Sequence, residues 1–318
     1  MINPAVQPVE HEEISETGRT KGFVLPVSGK LLRRRLATLL VLFKFRIVLL
    51  LLFAAVAGAF LASGGWPGGG TLGLLLLTGG LAASGASALN QYLEKRADAL
   101  MLRTRTRPLV NGSLSNARWV PWLASGMILV PSLAVLPSNP ALAFFLLAGA
   151  AIYLGIYTLW LKPRTLLNIV IGGAAGSAAV LSGSAAAGAW DNPGAIALAL
   201  LVFLWTPTHF WALAIVYRED YARGGIPMLP GRTGPRHAVL WMLLHTLATG
   251  LAALLLVGHP GLGLIYLLPV GAATVVLIGR NLRLLLQPDK RQALSFFKSS
   301  NLYLALVLLM VCVDTLVK

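Results

Sequence analysis

Thr71-Leu-Gly-Leu-Leu-Leu-Leu-Thr-Gly-Gly-Leu-Ala-Ala-Ser-Gly-Ala-Ser-Ala-Leu-Asn-Gln-Tyr-Leu-Glu-Lys-Arg-Ala-Asp98 decides how this chain folds. Residues 71–90 carry no charge, and the charges arrive together just beyond them. About 20 apolar residues at 1.5 Å rise suffice to cross a hydrocarbon core of about 30 Å. The stretch therefore reads as a spanning helix that emerges into a charged loop. Eight further blocks of similar length follow the same rule, at roughly 36–62, 118–136, 140–160, 166–188, 195–217, 238–257, 261–280 and 299–317. Nine spans predict an all-α polytopic membrane protein.

Composition agrees. The chain is 57% hydrophobic and 12% charged, with a mean hydropathy of +0.76, too apolar for a soluble globule of 318 residues. Its 26 Lys and Arg residues are sorted by loop. All but Lys318 fall in, or at the edges of, the N-terminal region and loops 91–117, 161–165, 218–237 and 281–298. The intervening loops 63–70, 137–139, 189–194 and 258–260 contain no Lys or Arg. The positive-inside rule then puts the N-terminus in the cytoplasm, the C-terminus outside and the basic loops on the cytoplasmic face. Membrane topology accounts for the net charge of +15, and no nucleic-acid partner is expected.

The ends and the single thiol add little chemistry. Residues 1–30 are polar, include Glu10, Glu12, Glu13 and Glu16, and read as a disordered cytoplasmic tail without the features of a signal or transit peptide; 31–318 read as one intramembrane domain. Cys312 lies in the last apolar block, so thiols supply neither a disulfide framework nor a zinc cluster.

Two loops carry the chemistry. In the first, Asn90, Glu94 and Asp98 recur at i, i+4 and i+8, so a helix prolonged past its span presents two carboxylates and an amide along one side. Such an array suits Mg²⁺, which takes a few protein oxygens and leaves positions for phosphate. Arg103, Arg105 and Arg107 follow, able to grip phosphate oxygens by charge-assisted forks. Charges at a membrane edge are also often solvated or in contact with lipid headgroups, so spacing alone leaves both readings open. In the second stretch, His209 lies within an apolar helix beside Pro207, where a packing histidine and a functional one are both in play. Tyr217, Glu219 and Asp220 close that helix, and Gly224, Gly225, Pro227 and Pro230 turn the chain.

These two stretches carry a resemblance. Asn90 to Leu109 resembles the first Asp-rich motif of the UbiA superfamily of intramembrane prenyltransferases, N-x-x-x-[D/E]-x-x-x-D followed by M-x-R-T-x-x-R-P-L. His209 to Pro230, H-F-W-A-L-A-I-x-Y-x-x-D-Y-x-x-G-G-I-P-M-L-P, resembles the haem-prenylating branch, as do Tyr157-Thr158, Lys162, Thr165 and the Asn168–Gly173 run. The likeness covers residues 40–235 and implies a UbiA-type bundle in a bacterial inner membrane. It implies a farnesyl transfer from farnesyl diphosphate to the vinyl group of haem B, with water addition, giving haem O and diphosphate. Haem is there the substrate, and partners at the haem A synthase or terminal-oxidase assembly stage follow from that product.

Residue by residue, the resemblance implies that Asn90, Glu94 and Asp98 hold Mg²⁺ against the diphosphate and that Arg103 and Arg107 neutralise it. His209 stands as a catalytic candidate on the haem side. Arg96, Lys162, Asn168, Tyr217, Asp220 and Tyr221 are substrate-binding candidates. Some positions depart from the family pattern: Glu94 and Ala97 stand where carboxylates of Asp are common, the second Asp-rich motif is reduced to Glu219-Asp220, and Ser177–Gly183 lacks the usual P-P-x-x-G-W. A UbiA-type enzyme acting on an aromatic or quinone precursor, and a nine-span transporter, are the alternatives; the first would show a second motif with spaced Asp residues and the second buried charge at mid-membrane.

Overall fold

A computed structural model describes residues 27–114 and 116–318; most of the expected tail, 1–26, lies outside the described residues. Two compact units result, one ending at Ala37 and the other running from Thr38 to Lys318. The elements in order are α1 (Val27–Leu42), α2 (Phe45–Ser63), α3 (Gly69–Leu93), α4 (Lys95–Leu100), α5 (Val120–Val135) and α6 (Pro140–Ala151). A π-helix (Ile152–Leu161) continues α6, followed by α7 (Asn168–Gly172), α8 (Ala174–Ala186), α9 (Pro193–Val216), α10 (Arg218–Arg223), α11 (Leu229–Thr233), α12 (Pro235–Leu255), α13 (Leu264–Leu286) and α14 (Lys290–Val317).

Among the described residues, eight helical segments are long and apolar enough to cross a membrane. The block at 118–136 forms α5, whose 16 residues reach about 24 Å at 1.5 Å per residue, short of a full hydrocarbon core. The first block differs from its expected single helix. It breaks at Phe43-Lys44, where Lys44 adopts a left-handed backbone (φ 49°, ψ 47°) and the chain restarts as α2. Gln91 of α3 secures the break by donating its side-chain amide to the carbonyls of Val41 (2.7 Å), which also accepts the Lys44 N–H (3.2 Å), and Leu42 (2.8 Å) at the end of α1. The block at 166–188 likewise divides into α7 and α8, and 140–160 passes from α to π geometry.

Contact between the helices rests on small residues. Lipid tails are as apolar as leucine, so helices associate in a bilayer through close van der Waals packing. Gly58 of α2 faces the Val180 carbonyl of α8, and Gly183 of α8 faces the Ala55 carbonyl of α2, both closer than a Cβ would permit. Gly183→Leu is therefore expected to lower the thermal midpoint of the detergent-solubilised protein by the equivalent of about 3 kcal/mol, the upper end for overpacking. Gly126→Ala on α5, where no heavy atom lies within reach of the added carbon, should leave it unchanged.

The two ends of the bundle differ. At one end Asp314 of α14 accepts the backbone N–H groups of Gly263 (2.6 Å) and Tyr266 (2.9 Å), capping α13, and few other charges gather there. The opposite end brings together Lys44, the C-terminal end of α3, the close of the π-helix and the loop after α9. That end holds the chemistry.

Candidate active site

The helical stripe survives the end of α3. Glu94 forms a one-residue junction (φ −88°, ψ 3°) between α3 and α4, yet Glu94 N–H still donates to Asn90 C=O (2.9 Å) and Asp98 N–H to Glu94 C=O (2.8 Å). Asn90, Glu94 and Asp98 thus stay on one side, as the spacing predicts. They do not sit at an open, wet rim. Asn90 and Asp98 are each only 1% exposed, and Glu94 is largely covered.

Each of the three is met by a cation. Lys44 Nζ donates to Asn90 Oδ1 (2.6 Å), Lys162 Nζ to Glu94 Oε1, and Arg107 Nη1 to Asp98 Oδ2 (2.5 Å). Asn90 Nδ2 also donates to the Thr158 hydroxyl (3.0 Å), which in turn donates to the Tyr153 carbonyl (2.7 Å), a five-residue step that only π geometry supplies. The π-helix stacks Tyr153 and Tyr157 in near-parallel rings 6.1 Å apart, with Lys44 5.7 Å from the centre of the first and Lys162 5.6 Å from the centre of the second.

Charge coupling follows. Burial would raise the Glu94 carboxyl's pKa, but Lys162 and Lys44 outweigh it and hold it below the ordinary range. For Lys162, burial works against the ammonium, while Tyr157 and Glu94 raise its pKa above the usual lysine value. Lys44 goes the other way: burial, with Arg107 and Lys162 adding repulsion, brings it down to about 7 despite Glu94 and Asp98. Because the unfolded chain binds Lys44's proton up to its ordinary value of 10.5 and the folded chain releases it near 7, stability should rise as pH climbs between the two. In EDTA, the thermal midpoint is expected to increase from pH 6.5 to 9, and Lys44→Met should flatten that increase.

One acceptor is left over. Asp98 Oδ1 is buried with no hydrogen-bond partner, as is Asn168 Oδ1. A buried carboxylate oxygen without a donor is costly, and it fits a ligand that brings positive charge. Among the described residues no group of three or more His, Cys, Asp or Glu is placed to hold a metal, so any cation here would rest on the Asn90–Glu94–Asp98 oxygens and on its own partners. Two carboxylates and an amide oxygen match Mg²⁺ in type.

The remaining sequence candidates divide. Tyr221 is buried and bears on the ionisation of Lys162. Arg103 is exposed and lies 5.3 Å from the ring centre of Tyr217, on the near side of the cluster. Asp220 acts as a clasp between the two loops. Its oxygens accept the backbone N–H groups of Leu102 (3.1 Å) and Arg103 (3.0 Å) and pair with Arg223, and these partners outweigh burial to hold its pKa below the ordinary range. Asn168 ties α7 to the second loop by donating to the carbonyls of Thr165 (2.5 Å) and Pro227 (3.0 Å). Arg96 is exposed. His209 is packed between the rings of Trp205 and Phe297, each 4.4 Å away, and its Nδ1 shares a proton with the Ser300 hydroxyl (2.8 Å); those contacts lie on α9 and α14, apart from the cluster.

Lys44, Tyr153 and Thr158 are members of the cluster that spacing did not single out. A charged residue inside an apolar block was the available signal for Lys44. Thr158 falls in the Tyr157-Thr158 stretch that carries the family resemblance, whereas nothing comparable marks Tyr153; the roles of both depend on the π geometry.

Known proteins share this fold and much of this sequence. The UbiA prenyltransferase family matches residues 51–307. A protoheme IX farnesyltransferase of Sulfolobus acidocaldarius is 41% identical over 285 residues, covering 87% of this chain and 96% of the relative. One from Metallosphaera sedula is 38% identical over 276 residues, covering 86% and 94%. That of Thermus thermophilus is 41% identical over 279 residues, and the chain spans about half of its length, 45%. Among solved structures, a digeranylgeranylglyceryl phosphate synthase superposes with a TM-score of 0.74 at 17% identity, over 89% of this chain and 99% of that one. A UbiA homolog from Archaeoglobus fulgidus bound to DMAPP and Mg²⁺ superposes at 0.60 and 17% identity, over 87% and 99%. A multi-pass bundle of this fold, matched by the family over most of its length and carrying the Asn90–Glu94–Asp98 stripe at one end, belongs to the UbiA prenyltransferase family.

Proposed function

We propose that the chain transfers the farnesyl group of farnesyl diphosphate to a vinyl group of haem B, with addition of water, giving haem O and diphosphate. Family membership and the names of relatives at about 40% identity support the reaction type and the acceptor. The observation that carries the site assignment is the unpartnered Asp98 Oδ1 within a cluster of three cations and two carboxylates. Asn90, Glu94 and Asp98 would hold Mg²⁺, which when bound supplies Lewis-acid stabilisation of the departing diphosphate.

The chain's own groups do the rest. Arg107 and Lys162, joined by Lys44 when it is charged, are positioned to neutralise diphosphate oxygens as the C1–O bond of the farnesyl group breaks and its electron pair leaves with the diphosphate. The allylic cation needs surroundings poor in water, which the apolar helices provide. The vinyl group's outer carbon then forms the new C–C bond, the positive charge moves to the carbon next to the macrocycle, and water adds there with loss of a proton. The balance is haem B plus farnesyl diphosphate plus water giving haem O plus diphosphate. The sorting of basic residues to these loops supports a cytoplasmic-side position for this cluster in a bacterial inner membrane, by the positive-inside rule.

The purified protein, incubated with haem B, farnesyl diphosphate and Mg²⁺ with and without EDTA, tests this by mass spectrometry of the pigment. The expected result is an EDTA-sensitive mass gain of one farnesyl group plus one hydroxyl. Prenylation of an aromatic acceptor with haem unchanged would reassign the branch, and absence of any prenyl transfer would sink the enzymatic reading.

A further inference from the structure

A second polar feature lies beside the cluster. A cavity of about 260 Å³ opens in the loop after α9, lined by Arg218, Tyr221, Gly225, Pro227, Gly231 and Arg232 among others. Arg218 and Arg232 have no carboxylate partner among the described residues, although their neighbour Arg223 pairs with Asp220 and Glu219 pairs with Lys290. The Tyr221 hydroxyl is also without a hydrogen-bond partner among the described residues; Tyr221 lines the cavity and lies within electrostatic reach of Lys162. Several of its backbone donors are already committed: Gly225 N–H donates to Ala222 C=O, Ile226 N–H to Tyr221 C=O and Gly231 N–H to Met228 C=O. The side-chain donors free for a ligand are two guanidinium forks and a phenol.

We propose that this cavity receives the anionic edge of the acceptor, with Arg218 and Arg232 each binding one propionate carboxylate of haem B. The proposal rests on the haem reading of the function and adds the residues that recognise the acceptor. Size supports an edge-on fit, because 260 Å³ is below the range of cavities that enclose a whole drug-sized ligand and leaves the macrocycle outside against apolar helices. Charge supports it as well. Two unpaired guanidinium groups match two carboxylates, and planar forks grip carboxylates in bidentate fashion. Adjacency completes the case: Tyr221, which lines the cavity, lies within electrostatic reach of Lys162, and Pro227 of its wall is held by Asn168, so an acceptor anchored here would have its ring system near the cluster proposed to bind diphosphate.

The test is binding by the full-length, detergent-solubilised protein, read by absorbance titration with haem B and with its dimethyl ester, which lacks the two charges. The unsubstituted protein should bind the diacid about tenfold or more tighter than the ester, the scale of a charge-assisted hydrogen bond. Arg218→Gln and Arg232→Gln should each weaken diacid binding several-fold, the double variant should abolish the preference, and KM for farnesyl diphosphate should not change. A double variant that keeps the preference overturns the proposal, and haem prenylation persisting in that case leaves the functional reading intact. Equal binding of diacid and ester by the unsubstituted protein also overturns it, and binding of neither overturns both. Lipid phosphate is the rival anion: an effect of the double substitution confined to vesicles containing phosphatidylglycerol, and absent in phosphatidylcholine, would assign the cavity to headgroups instead.

Discussion

Asp98→Asn is expected to lower kcat/KM for farnesyl diphosphate by about 10²-fold or more, the scale seen when one preorganised charge stabiliser is removed. Asp98 is 1% exposed, pairs through Oδ2 with Arg107 and leaves Oδ1 unbonded. The amide keeps the shape and removes the charge, so the oxygen best suited to a cation loses its attraction for one. Arg107 is 18% exposed and retains some solvent, which limits the stability cost to well below the 3–5 kcal/mol of a fully buried broken pair. Two readouts separate the effects. The thermal midpoint should fall modestly, while the Mg²⁺ concentration for half-maximal activity should rise steeply. Near-normal activity in the folded variant would remove Asp98 from the site.

Lys162→Met should produce a comparable loss of turnover together with a shift in pH dependence. With Lys162 present, Glu94 has a lowered pKa, so the stability and ionisation that the pair confers are in place above the ordinary carboxyl value of 4.5 and are lost only as pH falls through the lower, folded value. Lys162 has a raised pKa, so its contribution is complete below 10.5 and is lost only above that value. The pair is therefore fully charged across neutral pH. Without Lys162, burial dominates Glu94 and pushes its carboxyl up, so the acid limb of the activity profile should move to higher pH. An unmoved acid limb would mean that Glu94 is not the group whose ionisation the reaction requires.

The two results also distinguish what each cation contributes. Arg107 and Lys162 both neutralise a carboxylate in the resting cluster, yet only Lys162 also lies over an aromatic ring, that of Tyr157. A double substitution of Glu94 and Lys162 should recover some stability relative to Lys162→Met alone, because it removes the stranded charge. It should not recover activity.

Much of the site was legible because it is local. The i, i+4, i+8 stripe needs only the helical repeat, and hydrogen bonds across Glu94 preserve that repeat through the junction of α3 and α4. Asp220 was less legible. As the second motif's acid it looked like part of the diphosphate site, and only the fold shows its oxygens occupied by Leu102, Arg103 and Arg223 as a clasp between loops 118 and 117 residues apart in sequence from it. Arg103 and Arg107 looked equivalent in a row of alternating arginines. The loop's turns direct Arg107 inward to Asp98 and Arg103 outward to Tyr217.

Sequence by itself determined the membrane class, the sorting of basic loops to one end and the Asn90–Glu94–Asp98 stripe of the candidate site, because hydropathy, charge and helical period are properties of neighbouring residues. Tertiary structure decided which cation meets each oxygen, where the first apolar block breaks and how Tyr153 and Thr158 join the cluster. Those depend on distant segments meeting: Lys44 reaches Asn90 across 46 residues and Lys162 reaches Glu94 across 68, and no local pattern encodes a partner that far along the chain.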